Sequence, residues 1–213
     1  MIIHRDITQG SEQWHNLRRG RPTASRFSDI ITAAKGDLSK SAKSYIAELI
    51  SDCFIDPALF ARMPTMWEER GVEMEPMARA AFTELTGQKL DVVGFITRDD
   101  KVVGCSPDSL IVDESGVPIS GLELKCPMPK THVGYVIDGI LPDDYKQQVH
   151  GSMAVTGLNS WHFFSFYPGL QPFHIVVERD DYTRKVSAAL DQFIIDYQAA
   201  REKAIPNLRI TPP

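Results

Sequence analysis

Cysteine is scarce, with only Cys53, Cys105 and Cys126 in 213 residues. Three thiols cannot build a disulfide framework, and they point to a reducing compartment, the cytoplasm. Long apolar runs are missing as well: nowhere do about 18 apolar residues follow one another, so no membrane span is expected. The opening Met-Ile-Ile-His-Arg-Asp lacks the apolar core of a signal peptide, and none is expected. There is no internal repeat, low-complexity tract or Gly/Ser linker, which leaves one domain over residues 1–213 as the expectation. An excess of basic charge is also lacking. Lys+Arg 23 against Asp+Glu 28 gives a net charge of −5, with a pI near 5.7. Proteins that coat nucleic acid are normally basic, so that class is disfavoured. Any contact with a polyanion has to come from where cations are placed. With 43% hydrophobic residues the chain is too apolar to be disordered and long enough to bury a core.

Along the chain the patterning is first helical, then β, then mixed. Short helices are expected at 11–19 and 23–34, separated by Gly20-Arg21-Pro22, with Thr23 capping the second. A third runs from Ser41 to Cys53, and residues 56–65 read as a loop with two prolines. Thr65 and Glu68 form a capping box ahead of Met74, Met77, Ala78, Ala81, Phe82 and Leu85, which recur at helical spacing. Pro76 inside that pattern should kink the helix or begin a second one. Residues 89–97, 101–113 and 117–126 are β-rich. Helices near 129–138 and 142–156, strands at 161–167 and 173–178, a helix from Asp181 to Lys203 and an extended tail from Ile205 follow. The sum is an α/β (α+β) fold, a mixed sheet flanked by helices.

The sharpest feature is Ser106-Pro107-Asp108-Ser109 followed by Gly121-Leu122-Glu123-Leu124-Lys125-Cys126. In a strand, residues i and i+2 face the same way, so Glu123 and Lys125 share a face while Leu122, Leu124 and Cys126 point into the core. A hairpin closed at Ser115-Gly116 puts Asp108 opposite Glu123, to within a residue or two. Opposed residues hold their Cβ atoms within about 5.5 Å, and two like charges there are destabilising. A hard divalent cation removes that penalty, and Mg²⁺ takes oxygen ligands of this kind. With the Lys125 ammonium beside it, the set has the logic of metal-assisted phosphodiester hydrolysis. Taken as spacing alone, the pattern also describes an ordinary solvent-facing hairpin. Two charges on an apolar-flanked strand, however, need partners.

These residues resemble the nuclease signature of the phage lambda exonuclease-like viral recombinase family, within the PD-(D/E)xK nucleases. Three further segments match in the same order: "WHNLRRGRPTAS", "RGVEMEPMAR" and "YKQQVHGSMAVTG". The resemblance covers about Trp14 to Glu178 and implies a restriction-endonuclease-like core. It implies that Asp108, Glu123, the Leu124 carbonyl and Glu75 hold the metal, two Mg²⁺ ions with Mn²⁺ as a substitute. Lys125 would activate or orient the attacking water, with Gln148 as a further active-site residue. Arg18, Ser25 and Ser106 would form a pocket for a 5′-phosphate. The chemistry suits: arginine offers a fork of donors to phosphate, and Ser25 falls near a helix start, which favours anions. The implied activity is a 5′→3′ exonuclease on double-stranded DNA ends, with 3′ overhangs as product. The implied partners are a ring-shaped homotrimer and a single-strand annealing protein, in the cytoplasm of a bacterial host and encoded by a phage or prophage. In the family an apolar loop ahead of the Glu helix pries the duplex apart, and Leu59, Phe60, Met63, Met66 and Trp67 are the apolar residues there.

Other residues read more plainly. Arg18, Arg19, Arg21 and Arg26 against Glu12 give a local charge of +3, but Arg19 and Arg26 fit a solvated helix face equally well. Trp161, Phe163, Phe164, Phe166 and Tyr167 are too dense for alternation and read as core, and His132, His162 and His174 lack metal-ligand spacing. His150 reads as packing or surface. Three scattered cysteines argue against the iron–sulfur cluster of related helicase-linked nucleases. Two rival functions share the same residues. One is a restriction- or repair-type endonuclease, the other a non-catalytic scaffold that binds DNA ends.

Overall fold

The computed structural model describes residues 1–55 and 65–208. In chain order the elements are β1 (Ile2–His4), α1 (Glu12–Arg18), a 3₁₀ turn at Ala24–Arg26, α2 (Phe27–Ile30), α3 (Ala42–Asp52), α4 (Met66–Thr86), β2 (Lys89–Asp91), β3 (Phe95–Thr97), β4 (Gly104–Cys105), β5 (Ser109–Val112), β6 (Pro118–Lys125), α5 (Pro129–Asp138), α6 (Asp143–Thr156), β7 (Ser160–Ser165), β8 (Phe173–Glu178) and α7 (Asp181–Leu208). Five strands form the main sheet in the order β2-β5-β6-β7-β8, and β1-β3-β4 form a smaller one. Only β6 and β7 run parallel within the main sheet, so it is mixed. None of the described helices is long and apolar enough to cross a membrane.

Strand β6 is central because Ser120–Leu124 can be buried on both sides. Its even-numbered Leu122 and Leu124, with Phe164 of β7, pack under Ala78 and Phe82 of α4. The opposite face meets α6 through Trp161, Val149 and Met153. Glu123 and Lys125 therefore face α6. Gly121 lies beneath Trp161, and a Cβ there would stand 2.4 Å from the indole ring, which leaves glycine as the residue that fits. The expected hairpin register is the one observed: Ser109 pairs with Leu122 and Leu110 with Gly121, so the next place along sets Asp108 opposite Glu123. The aromatic run reads as core, with Trp161, Phe163 and Phe164 fully buried.

Several expectations are corrected. The helix foreseen at 23–34 ends at Ile30, because Ile31 bridges to Leu38 as extended chain. Thr23 stands at the cap position without capping, since its hydroxyl accepts from Arg18. The segment 89–97 is two strands in two sheets. The break falls at Gly94, where a Cβ would lie only 1.8 Å from the Ile7 carbonyl oxygen. Strand 101–113 is likewise split at Ser106-Pro107-Asp108, and β1 had no sequence signal in its three residues. Pro76 neither ends nor divides α4, and α7 runs through Ile205 to Leu208 where an extended tail was expected. Leu59, Phe60 and Met63 of the apolar loop, the Trp67 and Glu68 side chains and the tail beyond 208 lie outside the described residues.

His162 and His174 meet on neighbouring strands, Nδ1 to Nε2 at 3.0 Å, both rings edge-on to Phe82. Burial, then the second imidazole, pulls His162 down to about 4, and burial lowers His174 as well. Between pH 6.5 and about 4 the unfolded chain takes up protons that the native pair refuses, so stability is lost as pH falls through that window. A His162→Phe protein should lose less stability than the wild type between those limits. Urea denaturation at stepped pH measures it, and parallel pH slopes for the two proteins would contradict the assignment.

Candidate active site

Ser106-Pro107-Asp108 carries the chain from the small sheet into the large one, and this crossing aims Asp108 at the edge of β6. Its amide donates to the Leu122 carbonyl (3.1 Å), and its Oδ2 accepts from the Leu124 amide (2.5 Å). The carboxylate thus stands where a strand partner's carbonyl would be. Arg79 Nε and Ser109 Oγ both donate to the Asp108 carbonyl, at 3.2 and 2.6 Å. Glu123, 2% exposed, accepts at Oε1 from Lys125 Nζ (2.5 Å) and from Gln148 Nε2 of α6 (2.6 Å). On its other side the Lys125 ammonium lies 5.0 Å over the Tyr145 ring.

Burial, with the Glu123 charge next in weight, holds the Asp108 carboxyl well above the usual carboxylate range. Burial opposes the Lys125 charge, but Glu123 and Asp108 outweigh it, and the lysine is held more firmly protonated than in water. A strand residue's N–H and C=O point to the same edge, so the Leu124 carbonyl faces the side on which its N–H meets Asp108. Two crowded carboxylates and a carbonyl are hard oxygen donors in a site that disfavours their unneutralised charge, and this set fits Mg²⁺. Among the described residues no three His, Cys, Asp or Glu side chains gather to hold a metal ion. Glu75 accordingly stands apart from the other two acids. Its Oε2 pairs with Arg79 at 3.0 Å, although it lines the same cavity as Asp108.

A second cluster forms at the N-terminal end of the chain. The Arg18 guanidinium donates to Ser106 Oγ (3.2 Å), Thr23 Oγ1 (3.2 Å) and Ser25 Oγ (3.1 Å), and it lies 4.2 Å over the Trp14 ring. Trp14 Nε1 donates to the same Ser106 oxygen at 2.9 Å. Burial pulls the guanidinium down to about 10, which leaves it fully charged at neutral pH. Among the described residues no carboxylate pairs with it, so a half-buried cation is held by neutral hydroxyls and an aromatic face. Its neighbours are committed elsewhere: Arg26 to Asp29 and Glu48, Arg19 to the Asp52 and Ile55 carbonyls, Arg21 to the Leu17 and Lys101 carbonyls. The basic stretch is therefore no open patch, and of these four arginines Arg18 is the one in the cavity.

Two cavities meet here. The smaller, about 290 Å³, is lined by Arg18, Ser25, Ser106, Glu123 and Gln148, and the larger, about 700 Å³, by Arg70, Glu75, Leu124, Met128 and Tyr145. Asp108 and Lys125 line both. Sequence reasoning did not single out Trp14, Gln9, Arg70, Arg79 or Tyr145. Tyr145 and Gln148, three apart on α6, and Glu75 and Arg79, four apart on α4, carried a helical-face signal. The histidines are structural: His132 sits between Ser165 Oγ and the Gln171 carbonyl, and His150 bonds Thr183.

The mixed sheet flanked by helices, with an acid–lysine set at the edge of its central strand, defines an α/β fold of the kind nucleases use. Residues 13–159 match the model of the YqaJ-like viral recombinase domain, and the chain belongs to that family. Among solved structures it is similar to LHK-Exo in complex with dAMP, with 30% identity and a TM-score of 0.71, covering 92% of this chain and 99% of that one. It is equally similar to the alkaline exonuclease LHK-Exo from Laribacter hongkongensis, with 30% identity, a TM-score of 0.70 and the same coverage. A phage-related exonuclease from Haemophilus somnus 129PT, 16% identical with a TM-score of 0.57 over 88% of this chain and 98% of that one, shares the fold. No curated protein matches. Family membership with these relatives implies a nuclease acting in recombination.

Proposed function

We propose that the chain is a Mg²⁺-dependent 5′→3′ exonuclease of the PD-(D/E)xK type. It removes mononucleotides from the 5′-phosphorylated ends of linear double-stranded DNA and leaves 3′ overhangs. The observation that carries this reading is Arg18, a half-buried guanidinium held by two serine hydroxyls and a threonine, with no carboxylate partner among the described residues, in a cavity that Asp108 and Lys125 also line. A phosphate monoester supplies the missing counter-charge, and a terminal phosphate held there leaves the first internucleotide linkage to reach Asp108 and Lys125 in the same cavity. Arg18 anchors that phosphate, with Ser25 and Ser106 as further hydrogen-bonding partners. Gln148 and Lys125 hold Glu123 in place, and Asp108 is fixed by the Leu124 amide. The Lys125 ammonium is positioned to orient a water and to counter charge growing on the attacked phosphate. Asp108, Glu123 and the Leu124 carbonyl would hold the Mg²⁺, which lowers the pKa of water and neutralises phosphate charge. The resemblance to the lambda exonuclease family extends the reading to a homotrimeric ring and a single-strand annealing protein that receives the overhang.

A covalently closed circular duplex incubated in Mg²⁺ should stay intact while the same DNA, linearised, is consumed. A cut circle would establish an endonuclease, and a linear duplex bound but never shortened would establish a scaffold. Arg18→Ala should slow 5′-phosphorylated ends by about 10²-fold, the usual cost of losing a buried charge partner, with little change on 5′-hydroxyl ends. Equal losses on both ends would remove the phosphate pocket from the account.

A further inference from the structure

One cation at the site is unused in this scheme. Arg70 of α4 lines the larger cavity together with Asp108 and Lys125. Its Nη1 donates to the Cys126 carbonyl at 2.6 Å, and its guanidinium carbon lies 5.3 Å over the Tyr167 ring. A carbonyl and an aromatic face hold the side chain without neutralising it, and no carboxylate among the described residues pairs with it. The other three charged residues in that wall are engaged elsewhere: Lys125 with Glu123, Glu75 with Arg79, and Asp108 with the Leu124 amide.

We propose that Arg70 binds the phosphate that follows the scissile one, the second internucleotide phosphate of the strand being degraded. This rests on the reading of Arg18 as the anchor of the 5′-phosphate. A strand whose 5′ end lies in the smaller cavity crosses at Asp108 and Lys125, the lining residues common to both, and its 3′ continuation enters the larger one. Each further nucleotide brings another negative charge. A chain of net charge −5 offers that strand no general attraction, so its register depends on individually placed cations. Arg70 is the cation at the right end, and its planar fork suits phosphate.

The test is single-turnover release of the first nucleotide from a 5′-phosphorylated linear duplex in Mg²⁺. The second linkage of the strand is either an ordinary phosphodiester or an uncharged methylphosphonate. The wild type should lose about tenfold with the methylphosphonate, the worth of one charge-assisted hydrogen bond, and nothing when it is moved several linkages downstream. Arg70→Gln keeps a donor for the Cys126 carbonyl. It should be about tenfold slow on ordinary DNA and indifferent to the methylphosphonate, because the same interaction cannot be lost twice. Arg70→Lys, which keeps the charge, should recover part of the sensitivity, and it carries the comparison if Arg70→Gln fails to fold. Losses that multiply, or a wild type indifferent to the second linkage, would overturn the proposal. The same duplexes with 5′-hydroxyl ends report on Arg18 separately. A wild type selective for 5′-phosphate yet blind to the methylphosphonate loses only the Arg70 proposal, whereas one blind to the 5′-phosphate loses the underlying reading.

Discussion

Replacing Asp108 by asparagine is expected to slow nucleotide release by at least about 10³-fold and, at the same time, to raise the melting temperature of the metal-free protein. The two effects share one cause. Burial and the nearby Glu123 make a charged Asp108 unfavourable in the folded chain, as its raised pKa records. Asparagine has the same shape, still offers an oxygen to the Leu124 amide, and carries no charge. The hydrolytic function is lost while the fold is relieved. Magnesium supplies the control. At tenfold its dissociation constant it should raise the wild-type melting temperature by about 3–6 °C and leave the Asp108→Asn protein unmoved. Full activity in the variant would refute the site assignment, as would an equal Mg²⁺ shift in both proteins.

Lys125→Met is expected to cost about 10³-fold in rate as well, with the opposite effect on stability. The ammonium is the charge that answers Glu123, whose side chain is only 3% exposed against 25% for the lysine. Without it a buried carboxylate is left uncompensated beside Asp108, and the metal-free fold should lose about 3 kcal/mol. A divalent cation can take over that duty in part. The melting temperature of Lys125→Met should therefore respond to Mg²⁺ more strongly than that of the wild type, whereas Asp108→Asn should not respond at all. Thermal melts of the three proteins with and without Mg²⁺ check this. The same Mg²⁺ response in all three would separate Lys125 and Asp108 from the metal.

The middle of the chain was legible because its geometry is local. Alternation along β6 puts Glu123 and Lys125 on one face, and the hairpin turn, together with a one-residue register shift between Ile111 and Val112, brings Asp108 opposite Glu123. The Arg18 cluster was a different matter. Arg18 and Ser106 are 88 residues apart, and no spacing rule brings them together. They were singled out only through the resemblance to a family, and the contact itself depends on how the small sheet docks. That sheet was legible only in part: β3 and β4 fall inside segments read as β, but three residues of β1 and two of β4 are too short to show a period or a separate sheet. Gly94 and Gly121 looked like any other glycine until the Ile7 backbone and the Trp161 ring were seen against them. The basic stretch from Arg18 to Arg26 misled in the other direction, because the residues that neutralise it, Glu48 among them, lie outside the segment.

The net charge of −5 is thereby given a structural meaning. The acids at the sheet edge are the ones a divalent cation would neutralise, and the cations near them, Arg18, Lys125 and Arg70, are buried or half-buried one by one rather than spread as a basic surface. The account stands or falls on the direction in which a strand passes these groups. The most direct measurement uses a linear duplex with a 5′-phosphate on one strand and a 5′-hydroxyl on the other, each strand labelled at its 3′ end and digested in Mg²⁺. The account predicts that the phosphorylated strand alone shortens, from its 5′ end, with the label retained until the last nucleotides. Early release of the 3′ label, or equal shortening of both strands, would contradict it.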